Sequence, residues 1–115
     1  MARVTTVEPK IAQTAPKEAT DCTIANQYDW DYATAYAICM AESGGNEKAY
    51  NPSNSNGTND AGLFQINSIH VTSGLIGNQD RFNGTENVSA AYRIYLGSGW
   101  NAWSAYNNGA YLKHL

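Results

Sequence analysis

The stretch that decides the fold is ESGGNEKAYNPSNSNGTNDAGLFQIN, residues 42–67, with a carboxylate at its start and another near its end. The residues before it, 29–41, have helical spacing, and the Gly44-Gly45 pair supplies the backbone freedom that commonly ends a helix. Glu42 is therefore predicted in the last turn of that helix. Because the carbonyl end of a helix carries partial negative charge, we expect the pKa of Glu42 to be raised. An acid that keeps its proton near neutral pH is a candidate for general acid catalysis.

The second carboxylate, Asp60, follows Glu42 by 18 positions and closes a run of turn-forming residues, NPSNSNGTND at 51–60. Apolar and polar residues then mix over 63–67, which predicts a hairpin or small irregular sheet leading into a half-buried strand. This arrangement is expected if a cleft separates the helix from the small sheet. Two carboxylates on opposite sides of a cleft, one neutral and one ionised, are the groups that catalyse glycoside hydrolysis. A calcium-binding loop is the alternative use of these oxygen donors. It is not favoured, because the run holds one carboxylate and lacks the terminal glutamate of such loops.

The length and charge of the chain limit the number of domains and the kinds of partner that it can have. A chain of 115 residues supports one hydrophobic core, which we place at residues 20–115. Residues 1–19 mix Thr, Ala, Pro and Lys without periodicity, which predicts an arm or linker. A formal charge of −3 without a Lys/Arg cluster argues against nucleic acid as a partner. No apolar run reaches membrane-spanning length, and the first residues lack the apolar core of a secretion signal.

The remaining periodic segments predict three more helices, at residues 20–27, 85–96 and 101–107. Gly97 and Gly99 are expected to end the second of these. The two histidines, His70 and His114, are isolated, and neither zinc spacing nor a nucleophile triad occurs. The carboxylates are therefore the remaining candidates for catalytic residues.

The two cysteines, Cys22 and Cys39, leave two alternatives open. Outside a cell they could form a disulfide between the N-terminal segment and the Glu42 helix, worth roughly 3 kcal/mol through loop entropy. In a reducing compartment Cys39 would be a small buried apolar residue.

Several motifs around the two carboxylates resemble the lysozyme superfamily, most closely its chicken-type branch. The resemblance runs in order over about residues 37–106 and is carried by E-S at 42–43, D-x-G-x-x-Q-I-N-S at 60–68 and N-A-W at 101–103. It implies an α+β, mainly helical, lysozyme-like fold with a small irregular β lobe at 51–67 and a cleft between the lobes.

The resemblance also implies roles for individual residues. Glu42 would be the general acid, and Asp60 would stay ionised to stabilise or attack the anomeric carbon. Trp103 would lie against the acid and desolvate it. The substrate contacts would come from the side chains of Gln65 and Asn67 and the backbone of Asn101 and Ala102. Purely structural roles are the alternatives: Gln65 could form hydrogen bonds to turn backbone, and Trp103 could be an ordinary core residue.

A second resemblance is to soluble lytic transglycosylases and to the small lysozyme-like enzymes of phages and secretion systems. It is carried by E-S-G at 42–44, G-L-F-Q-I-N at 62–67 and A-Y-N-x-G at 105–109. In that branch Glu42 would be the sole acid and base, Tyr106 and Asn107 would line the cleft, and the products would be 1,6-anhydromuramic ends. A non-catalytic glycan-binding module and a structural phage component are further alternatives.

The expected function is therefore that of a muramidase that cleaves the β-1,4 bond between N-acetylmuramic acid and N-acetylglucosamine. The resemblance implies no metal and no cofactor, a monomer, and peptidoglycan as the partner, with chitin oligomers as another substrate. Such an enzyme acts outside the cell, in the periplasm or on a wall reached by a phage. The chain departs from chicken-type lysozymes in having fewer cysteines, an acidic charge and no adjacent tryptophans, which implies a shorter cleft.

Overall fold

The structure, a computed structural model, describes residues 20–115, and the arm expected at residues 1–19 lies outside the described residues. The described part is mainly helical with one small sheet, as the sequence predicts. Its α-helices are α1 (Tyr32–Ser43), α2 (Ile69–Thr72), α3 (Gly84–Ser98) and α4 (Ser104–Asn107). Its 3-10 helices are Cys22–Gln27, Gln79–Phe82, Trp100–Ala102 and Ala110–His114.

Helix α1 carries Glu42 in its last turn, as predicted. The helix begins after Asp31, whose side chain accepts a hydrogen bond of 3.1 Å from the Thr34 amide. It ends at Gly44, which has a φ of 66° and donates its amide to the Met40 carbonyl at 2.8 Å. A left-handed residue at this point is what glycine allows without steric cost.

The sheet is antiparallel and has Asp60 in its middle strand. The strands, in sheet order, are β1 (Tyr50–Asn51), β2 (Asp60–Ala61) and β3 (Ile66–Asn67). Asp60 is in register with Asn51 on one side and Asn67 on the other. The turn-rich segment therefore folds into the small irregular β lobe that the sequence predicts, and it places a carboxylate between two side-chain amides.

One buried amide side chain joins this lobe to helix α3. Asn87 is 0% exposed, and its Oδ1 accepts a hydrogen bond of 2.8 Å from the Phe64 amide. Its Nδ2 donates to the carbonyls of Ala61 at 3.0 Å and Arg81 at 2.9 Å. The neighbouring Gly62 leaves the necessary space, since a Cβ there would lie 2.0 Å from the Arg81 carbonyl oxygen.

A covalent bond also links helix α1, which carries Glu42, to the segment before it. Cys22 and Cys39 form a disulfide, so the first of the two alternatives for these cysteines is confirmed. Both are buried in a core that includes Ile38, Phe64 and Val88. Among residues 20–115, no helix is long and apolar enough to cross a membrane.

The C-terminal helices differ from the sequence prediction. Helix α3 continues through Gly97 to Ser98, so Gly99 alone ends it. The single helix predicted at 101–107 is wrong, because the chain is extended at Trp103, with φ −109° and ψ 129°. The break lets the Trp103 indole enter the core and donate to the Phe64 carbonyl at 3.0 Å. A tertiary contact has overridden the local helical pattern.

Candidate active site

A cleft of about 190 Å³ lies between the β lobe and the helices. Six of the nine predicted site residues line it, and so do Ile66 and three residues outside the quoted motifs. The predicted residues are Glu42, Asp60, Gln65, Asn67, Ala102 and Trp103, and the additional ones are His70, Ile94 and Ser104.

Glu42 is half-buried at one side of this cleft. Its pKa is raised from the ordinary 4.5, chiefly by burial and also by the charge of Asp60. A hydrogen bond of 3.2 Å from the Ala105 amide to Oε2 acts in the opposite direction and lowers the pKa. The predicted direction of the shift is correct, but burial rather than the helix end is its leading cause.

Trp103 forms an apolar wall of the same cleft. It is 4% exposed, and its ring packs edge-on against Phe64 with 5.6 Å between ring centroids. Because its indole N–H is already bonded to the Phe64 carbonyl, the ring offers the cleft an apolar surface. An apolar neighbour of this kind excludes water, which is consistent with the raised pKa of Glu42.

Asp60 accepts three hydrogen bonds from asparagine side chains. Asn54 and Asn51 donate to Oδ2 at 3.0 and 3.4 Å, and Asn67 donates to Oδ1 at 3.0 Å. N–H donors of this kind compensate the charge of a carboxylate. Two of the three donors belong to the turn-forming run at 51–60, so this run helps to hold the Asp60 carboxylate in place. Within residues 20–115, no group of three or more His, Cys, Asp and Glu side chains is arranged to bind a metal.

The two amide side chains predicted to bind sugar are engaged within the protein. Asn67 donates to Thr58 Oγ1 at 2.9 Å as well as to Asp60, and its Oδ1 accepts from the Ile69 amide at 2.9 Å. Gln65 donates its Nε2 to the carbonyls of Ala49 at 3.2 Å and Gly62 at 3.0 Å. Gln65 Oε1 is thus the atom of this pair best placed to meet a ligand, whereas Asn67 supports Asp60.

Three of the predicted site residues do not line the cleft. Asn107 donates its side-chain amide to the Asn101 carbonyl at 2.9 Å, so these two residues bind each other. Tyr106 packs against Tyr111, with 5.0 Å between ring centroids. The helix that follows the break at Trp103 instead brings the Ala105 amide to Glu42.

His70 is the main cleft residue that sequence reasoning missed, because an isolated histidine gives no spacing signal. It lies in helix α2, three positions after Asn67 at the end of strand β3. Burial lowers its pKa below the ordinary 6.5. The turn from strand to helix after the Q-I-N segment is the sequence feature that could have predicted His70 in the cleft.

Comparisons with known proteins agree with this geometry. A family model described as a lysozyme-like domain matches residues 19–105, which is more than half of the chain. The fold is similar to the crystal structure of lysozyme from Equus asinus, with a TM-score of 0.60 and 25% identity over 81% of this chain and 84% of that chain. No curated protein matches the chain by sequence. The chain belongs to the lysozyme-like domain family.

Proposed function

We propose that this protein is a peptidoglycan muramidase that hydrolyses the β-1,4 bond between N-acetylmuramic acid and N-acetylglucosamine. The observation that carries the proposal is a half-buried glutamate with a raised pKa in the same cleft as a second, hydrogen-bonded carboxylate. Membership of the lysozyme-like family supports a glycosidase or transglycosylase that acts on peptidoglycan.

Glu42 acts as the general acid. Its Oε2 accepts the Ala105 amide, so the proton to be transferred is on Oε1. As the glycosidic bond breaks, its electron pair goes to the leaving oxygen, and that oxygen takes the proton from Glu42. The carboxylate left on Glu42 then accepts a proton from the water that completes the hydrolysis.

Asp60 stabilises the positive charge that develops on the anomeric carbon, or attacks it, and the configuration is retained. The three asparagine donors fix the orientation of this carboxylate. A carboxylate oriented before the substrate arrives loses little free energy to reorganisation during the reaction. The role of these three asparagines is therefore to hold the charged group in place.

The cleft supplies both polar and apolar contacts for an N-acetylated sugar. Gln65 Oε1 and the hydroxyl of Ser104 are available for sugar hydroxyls, and Trp103 and Ile94 form the apolar side. Since the chain carries a formal charge of −3, affinity for an anionic wall comes from these contacts rather than from charge attraction. Chitin oligomers present the same acetamido groups and are a second substrate to test. The disulfide supports a location outside the cytoplasm.

A lytic transglycosylase is the second candidate, and one contact favours it. The amide that binds Glu42 belongs to Ala105, the first residue of the A-Y-N-x-G segment at 105–109. In this reaction Glu42 first gives its proton to the leaving oxygen. It then takes a proton from the 6-hydroxyl of the muramic acid as that oxygen closes the anhydro ring. Asp60 would not be required.

Digestion of purified peptidoglycan followed by mass spectrometry separates the candidates. The hydrolase produces muramic acid with a reducing end, and the transglycosylase produces 1,6-anhydromuramic acid. Glu42→Gln, which changes the shape little, should stop either reaction, with a loss of roughly 100-fold or more. Glu86→Gln, at an exposed position on helix α3, is the matched control and should cleave like the wild type. Binding of peptidoglycan without any cleavage by the wild type would instead indicate a glycan-binding module.

A further inference from the structure

The mechanism above leaves one buried charged group unused. Arg81, in the 3-10 helix Gln79–Phe82, is 1% exposed. Its four hydrogen bonds all go to neutral oxygens: the Ile66 carbonyl at 2.9 Å, the Asn59 carbonyl at 3.5 Å, Asn59 Oδ1 at 2.9 Å and Asn78 Oδ1 at 2.6 Å. Its Nε is buried and has no hydrogen-bond partner within residues 20–115.

A guanidinium in this position is costly to the fold. Removing a charge from water is unfavourable, and a buried charge without a carboxylate in hydrogen-bond range is compensated only in part. An apolar side chain of similar size would fill the same space, but it would leave the oxygens that Arg81 binds without their donor. Packing alone therefore does not account for an arginine here.

The contacts of Arg81 converge on the residues next to Asp60 and Asn67. Arg81 Nη1 binds the carbonyls of Asn59 and Ile66, which immediately precede Asp60 and Asn67 in the chain. Asp60 and Asn67 are the register partners joined by the 3.0 Å hydrogen bond across β2 and β3. The guanidinium thus links strands β2 and β3 next to the register pair that holds the Asp60 carboxylate.

Arg81 also interacts with Asp60 through charge. Burial lowers the pKa of Arg81, whereas the charges of Tyr50 and Asp60 raise it. The hydrogen bonds of Arg81 to the carbonyls of Asn59 and Ile66 are the geometric link between this side chain and the strands that hold Asp60.

We propose that Arg81 is a positioning residue for Asp60: its guanidinium binds the carbonyls that precede Asp60 and Asn67 and so fixes the strand pair that holds the carboxylate. This inference rests on the proposed function, in which Asp60 takes part in the reaction. Arg81 itself does not line the cleft.

A double-mutant cycle on kcat tests the proposal. Arg81→Met alone should lower kcat by roughly 10- to 100-fold, the scale expected when a reacting group is misplaced, with KM changed by less than about threefold. In an Asp60→Asn background the same substitution should cost less than about threefold, because the group it positions is already disabled. Arg81→Lys, which keeps the charge, should retain more activity than Arg81→Met.

The control is Arg93→Met, which removes the same charge from an exposed position and should act like the wild type. A loss of kcat of equal size in both backgrounds would overturn the proposal, as would full activity of a folded Arg81→Met protein. Thermal unfolding shows whether that variant folds. If it does not, the same cycle is run with Arg81→Lys.

A second measurement does not depend on activity. The side-chain amide resonances of Asn54 and Asn67 report directly on their hydrogen bonds to Asp60. In Arg81→Met they should move in the direction that Asp60→Asn moves them, and in Arg93→Met they should stay in place. Unchanged resonances in Arg81→Met would overturn the role of Arg81. A wild type that does not cleave peptidoglycan would contradict the proposed function, while the resonances would still test Arg81.

Discussion

Asn67 donates a hydrogen bond of 3.0 Å from its side-chain amide to Asp60 Oδ1, across the register pair that joins β2 to β3. The same amide group bonds Thr58, and the side-chain oxygen accepts from the Ile69 amide. Asn67 therefore connects the carboxylate to the loop before it and to the helix after it. Its side chain has little capacity left for a sugar.

Asn67→Ala should lower kcat more than it raises KM. The substitution leaves Asp60 without one of its donors and the Ile69 amide without its acceptor, which should also reduce stability by about 1–3 kcal/mol. Steady-state kinetics and denaturant unfolding measure the two effects. Asn108→Ala, at an exposed position outside the cleft, is the control. A rise in KM with unchanged kcat would show that Asn67 binds substrate instead.

Trp103→Leu should move the alkaline limb of the pH profile of kcat/KM to lower pH. In the proposed mechanism, activity falls on the alkaline side as Glu42 gives up its proton, and burial is the main reason that the pKa of Glu42 is raised from 4.5. A smaller side chain at position 103 admits water to the acid and reduces that shift. Trp103→Phe, which keeps an apolar ring, should move the limb less. An alkaline limb at the same pH in both variants would mean that Trp103 does not desolvate Glu42.

Glu42→Gln should be more stable than the wild type at neutral pH and not at acidic pH. Because the pKa of Glu42 is raised in the folded state, ionisation of this group opposes folding. Its contribution to stability is fully present below 4.5 and is lost as the pH rises through the pKa of the folded state. Thermal unfolding of both proteins across this range measures the difference. A difference that does not change with pH would contradict the burial of the charge.

Asn87→Ala should be the most destabilising asparagine substitution in the described part of the chain. It removes three buried hydrogen bonds and leaves the Phe64 amide and the Ala61 and Arg81 carbonyls unpaired, which should cost about 3 kcal/mol or more. Asn83→Ala removes only a helix cap, a hydrogen bond from the Glu86 amide, and should cost about 1 kcal/mol. Urea unfolding of both variants compares them. Equal losses would mean that the β lobe is held to helix α3 by other contacts.

The sequence predicts the parts of this fold that depend on neighbouring residues. The helix before Glu42, its end at Gly44 and the turn-rich β lobe follow from local patterns, because spacing, caps and turn formers act over a few positions. The two carboxylates could be found in this way because they flank the lobe. The fold class could be named because the motifs occur in order along the chain.

Several features that depend on distant contacts do not follow from local patterns. Trp103 breaks the last predicted helix because its indole bonds the Phe64 carbonyl, 39 positions earlier in the chain. Asn87 and Arg81 are polar residues in segments of ordinary helical or turn character, and nothing local shows that they are buried. His70 has no partner of recognisable spacing. Each of these residues gains its role from the meeting of segments that are far apart in sequence.

The hydrogen bond from Ala105 to Glu42 spans 63 positions. The proposed acid is therefore assembled from two ends of the domain, and its environment is complete only when the last helical segments have folded onto α1. A fragment that stops short of Trp103 contains both carboxylates but neither the indole that lines the same cleft nor the amide that binds Glu42. A chain can therefore carry both acidic side chains and still lack the surroundings of the proposed proton donor.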